Sequence, residues 1–288
     1  MEYEVETNSF ELKDIFECGQ CFRWNQEEDG SYTGVFTDCV LNVEKQGSKI
    51  IFKGKYYNQI TQKDFEEKIR NYFDLDRDYS KIKRILSKVD ENLKLSVKYG
   101  DGIRILNQNL WETIISFIIS ANNNIPRIKG IIERISAKYG KEIEFNNKKY
   151  YTFPSKEELS KASVEDLRAL GLGFRDVRVY ETTRIILNNE VDLEKIHNLP
   201  TDKVREILLS LPGVGPKVAD CILLFSTLKR FDVFPIDVWV RRVMNDLYIH
   251  NEDETKVDKK EIQKLAEDKF GNLQGIAQQY LFYWRREA

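Results

Sequence analysis

Over its first 55 or so residues the chain alternates apolar and polar positions or runs apolar in short bursts. "YTGVF", "CVLNVE" and "KIIFKG" are separated by the turn signals "TD" and "KQGS", the pattern of antiparallel strands. From about residue 61 the apolar spacing changes to three and four. The pattern predicts helices at 62–73, 80–98, 109–121, 126–139, 156–170, 175–189, 201–210, 216–228, 236–247, 258–270 and 275–286. Capping pairs mark three starts: Thr61 with Asp64, Ser155 with Glu158, and Ser163 with Asp166. "NNKKYYTFP" reads as a loop, and no internal repeat or low-complexity linker interrupts the chain. The expected class is α+β: an antiparallel sheet domain with flanking helices over 1–100, then a larger all-α domain over 101–288.

Composition adds limits. The 288 residues are 41% hydrophobic and 32% charged, as in soluble globular proteins. No apolar run approaches ~18 residues, and the acidic start lacks the basic-then-apolar order of a signal peptide, so a cytoplasmic location is expected. The net charge of −2 does not announce a polyanionic partner. Its distribution matters more: residues 1–31 hold nine acids against Lys13 and Arg23, whereas basic residues gather in "PRIKGIIERISAKYGK" and "VWVRR". A locally basic face can still bind phosphate, with salt-sensitive affinity. "CGQC" (Cys18, Cys21) has metal spacing but no second ligand pair, and no cysteine follows Cys221, which excludes a C-terminal iron–sulfur cluster. The cysteines read as reduced packing residues, and His197 and His250 as surface residues. No metal or cofactor is expected.

"LPGVGPKVADC", Leu211 to Cys221, is the chain's most unusual stretch. Helix 201–210, a tight turn and helix 216–228 form a hairpin in which Gly213 and Gly215 allow positive φ or close backbone approach. Pro216 suits the first helical position, where its missing N–H costs nothing. The turn is either a packing corner or a cradle of helix N-terminal N–H groups for a phosphate. Lys217 opens the second helix at the end where its dipole disfavours a cation. That position and partial burial predict a lowered pKa and an accessible neutral amine. Cys221 lies one turn on, on the same face. Asp237, in "FPIDVWVRR", falls in the first turn of a later helix, as a plain cap or as a carboxylate beside the amine. An amine and a carboxylate together suit substitution at a sugar C1′, where one attacks and the other stabilises positive charge on the ring.

"LPGVGPKVADC" followed by "PIDV" resembles the helix-hairpin-helix DNA glycosylase superfamily, and lysine at 217 is similar to its bifunctional members, which also nick the backbone. Further segments resemble the 8-oxoguanine DNA glycosylase/AP lyases. The resemblance implies a TBP-like N-terminal sheet domain and a helical glycosylase domain, its hairpin at 201–228 and its last helix at 275–286 lining the base pocket. It implies duplex DNA containing 8-oxoguanine as partner and a monomer acting without cofactor. In "GQCFRW" the Gly19 carbonyl would accept N7–H, a hydrogen only the oxidised base carries. In "SFIISANNNIPRIKG" Asn122 would fill the space of the flipped nucleotide and Arg127 would read the estranged cytosine. In "LGLGFRDVR" Phe174 would wedge between bases and Arg175 would join Arg127 at the cytosine. In "GIAQQYLFYW" Gln278 would bond the base's Watson–Crick edge, with Phe282 and Cys221 covering its two faces. The chain departs from the animal enzymes at Trp239, where they carry a phosphate-contacting histidine and where Arg241 or Arg242 could substitute, and at Phe174, where they carry tyrosine. The alternatives are a glycosylase for another damaged base and a non-catalytic hairpin DNA-binding protein.

Overall fold

The computed structural model describes residues 1–7 and 9–287. Strands β1 (Glu2–Glu6), β2 (Trp24–Gln26), β3 (Tyr32–Phe36), β4 (Cys39–Gln46) and β5 (Lys49–Tyr56) form an antiparallel sheet in the order β1-β5-β4-β3-β2. On edge strand β1, Tyr3 and Val5 turn inward opposite Phe52 and Ile50, while Glu2, Glu4 and Glu6 face water. Charge on an exposed edge discourages pairing with another chain. Between β1 and β2 the chain makes a short helix, α1 (Leu12–Phe16), which the strand reading of this region missed.

The remaining chain is mostly helical. Helix α2 (Gln62–Tyr72) starts at the expected Thr61/Asp64 capping box and buries Phe65, Ile69 and Tyr72 against the sheet. The predicted helix 80–98 is two, α3 (Tyr79–Leu86) and α4 (Glu91–Tyr99), because the Asp90 side chain accepts from Leu93 N–H at 2.8 Å and restarts the helix. Helices α5 (Leu110–Ser120) and α6 (Ile125–Tyr139) meet at the triple asparagine. "NNKKYYTFP" is no loop: Asn146 and Asn147, at φ 51° and 59°, turn the chain from β6 (Glu142–Phe145), just before the stretch, into β7 (Lys148–Tyr151) within it. Two left-handed residues are what a tight hairpin turn requires, and asparagine tolerates that region. The predicted helix 156–170 is likewise split, into α7 (Lys156–Leu159) and α8 (Val164–Ala169), each with its own serine capping box. Then come α9 (Asp176–Leu187), α10 (Thr201–Leu209), α11 (Pro216–Phe225), α12 (Val238–Met244), α13 (Lys259–Phe270) and α14 (Gln274–Glu287). The α+β class holds.

Two apolar cores result. One lies under the sheet and α2; the other gathers the helices and includes Ile82, Leu86, Leu93 and Val97 from α3 and α4. Side-chain amides join the two. Gln20 Nε2 donates to the carbonyls of Ile15 and Arg104, both at 2.8 Å, and its Oε1 accepts from Leu106 N–H at 2.8 Å. Gln108 Nε2 donates to the carbonyls of Gln20 (2.7 Å) and Phe225 (3.0 Å), reaching the last residue of α11. Gln279 Nε2 on α14 donates to the Cys18 carbonyl. Gly19 therefore sits between two residues whose positions are dictated by the helical part of the molecule.

Gln20→Leu removes three buried hydrogen bonds and leaves their partners dry. Its urea unfolding midpoint should fall by the equivalent of about 3 kcal/mol. An unchanged midpoint would show that these bonds do not join the two cores.

Candidate active site

The hairpin between α10 and α11 gives its two glycines different duties. Gly213 has φ +88°, and a Cβ there would lie 3.0 Å from both Ile118 Cγ2 and Arg178 Cδ, so the fold itself excludes a side chain. Gly215 has an ordinary φ of −92° and nothing within 4 Å of a would-be Cβ. Nothing inside the protein asks for glycine at 215; a close external approach would. The packing-corner reading accounts for Gly213, and Gly215 is left open to an external partner. Pro216 opens α11, which has no side-chain cap, so N–H groups of its first turn face outward without intrahelical partners.

Lys217 follows. Its Nζ lies 5.5 Å from the Phe117 ring centroid, beside the buried sulfur of Cys221 and the carboxylate of Asp237. The expectation of a lowered lysine pKa is overturned here. The adjacent Cys221 sulfur, and after burial's opposing effect the Asp237 carboxylate, hold the Lys217 ammonium above the ordinary lysine value. Burial pushes the Cys221 thiol up to about 11. The helix end and burial oppose the charge, as expected from sequence, but the facing anionic and sulfur groups outweigh them. At rest the site holds an ammonium, a thiol and a carboxylate.

Asp237 is the N-cap of α12, and its Oδ1 accepts from Val240 N–H at 2.8 Å. Cap and charged partner are the same carboxylate: the cap fixes its orientation within electrostatic reach of Lys217.

Val240 connects this cluster to a second. Its side chain lines, with Phe234, Val243, Met244, Gln278, Leu281 and Phe282, a recess with no room for a water molecule. Gln278 is 6% exposed, and its Oε1 is buried without a hydrogen-bond partner. An orphaned amide oxygen in apolar surroundings costs on the order of 1–3 kcal/mol. The Gly19 backbone, at φ +88°, lies against the Phe282 ring: a Cβ there would be 3.7 Å from Cε1 and 3.6 Å from Arg286 Nη1. The structure thus brings Gly19, Gln278 and Phe282 together, with Cys221 on the Lys217 side and outside the cavity lining. Small-molecule pockets run to ~300–1,000 Å³, whereas this recess cannot hold even a water, so it is shut, with half-buried Phe282 in its lining.

A third cluster lies at the far end of α5. The three asparagines of "NNN" differ in what they do. Asn122 is exposed at φ 51°, Asn123 Nδ2 donates to the Ile119 carbonyl (3.1 Å), and Asn124 caps α6 by accepting from Arg127 N–H (3.0 Å). Exposed Arg127 reaches across to the Gly171 carbonyl at 3.3 Å. Phe174 is 54% exposed, with the Arg175 and Arg178 guanidinium carbons 4.2 and 5.1 Å from its ring centroid. Arg175 departs from expectation. It is 2% exposed, and its guanidinium donates to the carbonyls of Ala121 (2.8 and 2.6 Å), Asn122 (2.6 Å) and Leu172 (3.2 Å). It braces the Asn122 loop from inside rather than facing outward with Arg127. Asp176, the next carboxylate along the chain, is taken by Arg168 at 2.7 Å, so it does not neutralise this basic cluster.

Val238 and Trp239 are 54% and 52% exposed beside Asp237. The Arg242 guanidinium lies 5.6 Å from the Trp239 ring and pairs with Glu254 at 2.8 Å, while Arg241 turns towards the Thr255 carbonyl at 3.5 Å. Sequence reasoning missed Phe117 beneath the lysine and Arg286 against Gly19. The stripe Gln278–Phe282–Arg286, at intervals of four, carried a signal for the second; nothing local marked the first. Among the described residues no group of three or more His, Cys, Asp or Glu side chains is placed to hold a metal ion.

Comparison with known proteins places this arrangement. Residues 2–114 match the family described as 8-oxoguanine DNA glycosylase, N-terminal domain, and residues 115–271 match the HhH-GPD superfamily base excision DNA repair protein family. A protein of Methanothermobacter thermautotrophicus named "Probable N-glycosylase/DNA lyase" is 34% identical over 85% of this chain and 83% of its own. The structure of MBOgg1 in complex with a low-affinity DNA ligand superposes with a TM-score of 0.92 at 47% identity, covering 99% of this chain and 96% of that one. The Clostridium acetobutylicum 8-oxoguanine glycosylase/lyase, in complex with double-stranded DNA containing cytosine opposite 8-oxoG, gives 0.90 at 44% identity, covering 100% and 98%.

The charge arrangement at Lys217 is testable on the protein alone. Reductive methylation read by peptide mass should label Lys217 slowly at neutral pH and faster as pH rises. Because the Asp237 carboxylate helps hold the ammonium up, Asp237→Asn, whose amide oxygen can still cap α12, should lower the lysine pKa and speed labelling at fixed pH. Equal labelling in both proteins would show that the carboxylate does not hold the proton.

Proposed function

The chain belongs to the HhH-GPD superfamily of base excision DNA repair proteins and carries the N-terminal domain of 8-oxoguanine DNA glycosylases, and from that membership we propose that it is a bifunctional DNA glycosylase/AP lyase removing 8-oxoguanine opposite cytosine. The observation that carries this reading is the Lys217 amine at the uncapped start of α11, facing the capped Asp237 carboxylate. We divide the chain near residue 100 into the sheet domain and the glycosylase domain, and take it to act as a monomer on cytoplasmic DNA. No helix among the described residues is long and apolar enough to cross a membrane.

The outward N–H groups near Gly215 suit a phosphate of the lesion strand, and Gly213 holds the turn in shape. The exposed Phe174 wedges into the stack, Asn122 occupies the vacated space, and Arg127 meets the acceptor atoms of the estranged cytosine. Arg175 would join it there only by giving up its bonds to Ala121, Asn122 and Leu172; at rest its role is to hold the Asn122 loop. The extruded base enters between Phe282 and Cys221 once Phe282 swings aside. Gln278 Oε1, which has no partner inside the protein, then accepts an N–H of the Watson–Crick edge. The Gly19 carbonyl accepts N7–H. Guanine offers a bare lone pair there instead, a difference on the order of 1–3 kcal/mol.

The resting ammonium gives Lys217 two successive roles. Its proton passes to the departing base as the C1′–N9 bond breaks, and the Asp237 carboxylate stabilises the positive charge left on the deoxyribose. The amine, now neutral, bonds to C1′. Ring opening yields a Schiff base; loss of a C2′ proton to the departed base or to Asp237 then expels the 3′ phosphate by β-elimination. The carboxylate works in a nearly dry site, where fixed charges act most strongly.

Borohydride should trap the wild-type protein covalently on an 8-oxoguanine duplex, and Lys217→Gln should abolish the adduct; an adduct surviving that change would assign the nucleophile elsewhere. With lesion duplexes differing only in the opposite base, excision should be fastest opposite cytosine. Arg127→Ala should shrink that preference by about tenfold, and unchanged selectivity would remove Arg127 from the account.

A further inference from the structure

Phe174 is held between two guanidinium groups with different anchors. Arg175 is tied to the carbonyls of Ala121 and Asn122, so its side of the ring reports the position of the Asn122 loop. Arg178 is anchored to the hairpin. Its aliphatic stem fills the space over Gly213, where a Cβ would lie 3.0 Å from Arg178 Cδ and 3.1 Å from its Cβ, and its guanidinium carbon lies 5.1 Å from the Phe174 ring centroid. One turn further along α9, buried Thr182 donates its hydroxyl proton to the Pro212 carbonyl at 3.0 Å. Phe174 stands in the 3₁₀ turn that leads into α9, and Arg178 and Thr182 follow at intervals of four, one turn apart on α9. That stretch carries the exposed aromatic, a cation leaning on both aromatic and turn, and a hydroxyl fastened to the residue before Gly213. Four residues after Gly213 comes Lys217.

We propose that Arg178 is a positioning residue for base extrusion, holding the Phe174 side chain at a fixed spacing from the Gly213 turn that delivers Lys217. The proposal rests on the wedge reading of Phe174 given above. Arg178 touches neither the base nor the reacting sugar; it acts through Phe174. The wedge can push a nucleotide out only if it does not yield, and an exposed phenyl ring has two free torsions. A guanidinium stacked on its face, with a stem jammed against a glycine that tolerates no side chain, removes that freedom before DNA arrives. The same contact sets where the extruded sugar lands relative to the amine.

The test separates extrusion from chemistry. Arg178→Met keeps an aliphatic stem over Gly213 and removes the charge stacked on Phe174. Single-turnover excision from an 8-oxoguanine·cytosine duplex should slow about fivefold, with Arg178→Lys between Met and wild type. Strand cleavage at a preformed abasic site, where no base is extruded, should keep its wild-type rate, as should affinity for undamaged duplex. Phe174→Ala combined with Arg178→Met should be no slower than Phe174→Ala alone. Equal losses on lesion and abasic duplexes, weaker binding to undamaged DNA, an unchanged excision rate, or full additivity with a slow Phe174→Ala would each overturn the proposal. If Phe174→Ala itself excises at the wild-type rate, the wedge reading falls and this inference with it; additivity removes Arg178 alone.

Discussion

Three glutamine side chains, Gln20 and Gln279 buried and Gln108 half-buried, hold the working parts of this protein in register. Gln20 and Gln108 link the loop after α1 to the segment before α5 and to the end of α11, and Gln279 links the same loop to α14. Each amide bonds main-chain groups, which have fixed positions, rather than other side chains. Their reach decides where Gly19, a residue of the sheet region, sits against Phe282, a residue of the last helix. The proposed role of the Gly19 carbonyl, distinguishing two bases by one hydrogen, needs it placed to within a fraction of an ångström. In a low-dielectric interior a fully paired polar belt gives that precision more surely than apolar contact, because slipping by one position strands several groups at once.

A similar constraint governs the lysine. An amine nucleophile stored as a free base would meet any passing electrophile. Stored as an ammonium beside a thiol and a carboxylate, it is inert until a substrate supplies an acceptor for its proton. Phe117 beneath it contributes a ring face that favours the cation, and Asp237 is locked by its helix so that it cannot follow the proton away. Activation then depends on what enters the site, which couples reactivity to recognition without a moving part in the protein's own catalytic groups.

The hairpin and its lysine were readable in the sequence because glycine, proline and lysine in that order have few structural uses. The sheet, the capping boxes and the position of Asp237 were readable for the same local reasons. What stayed hidden depended on balance between neighbours. The lysine's preference for its proton turned on the weight of Cys221 and Asp237 against burial, which no spacing rule supplies. The inward direction of Arg175 turned on carbonyls of the turn that ends α5, over 50 residues away in the chain. "NNKKYYTFP" looked irregular because its strand is short and lysine-rich; two left-handed asparagines make it half of a hairpin. The helix over 80–98 looked continuous because Asp90 can cap as well as interrupt, and periodicity alone does not tell which.

The shut cavity beneath Phe282 has a consequence for how the protein surveys DNA. Nearly every guanine it meets is undamaged, so the common event is a visit that should end quickly. A recess standing open would let ordinary bases linger by apolar contact alone. One that must be prised apart opposes every base equally, and on the proposed reading the opposition is offset only for a base whose edge satisfies both Gln278 and the Gly19 carbonyl. Discrimination then rests on dwell time as much as on fit. The lonely amide oxygen, a small standing loss in the idle protein, becomes part of what retains the oxidised base.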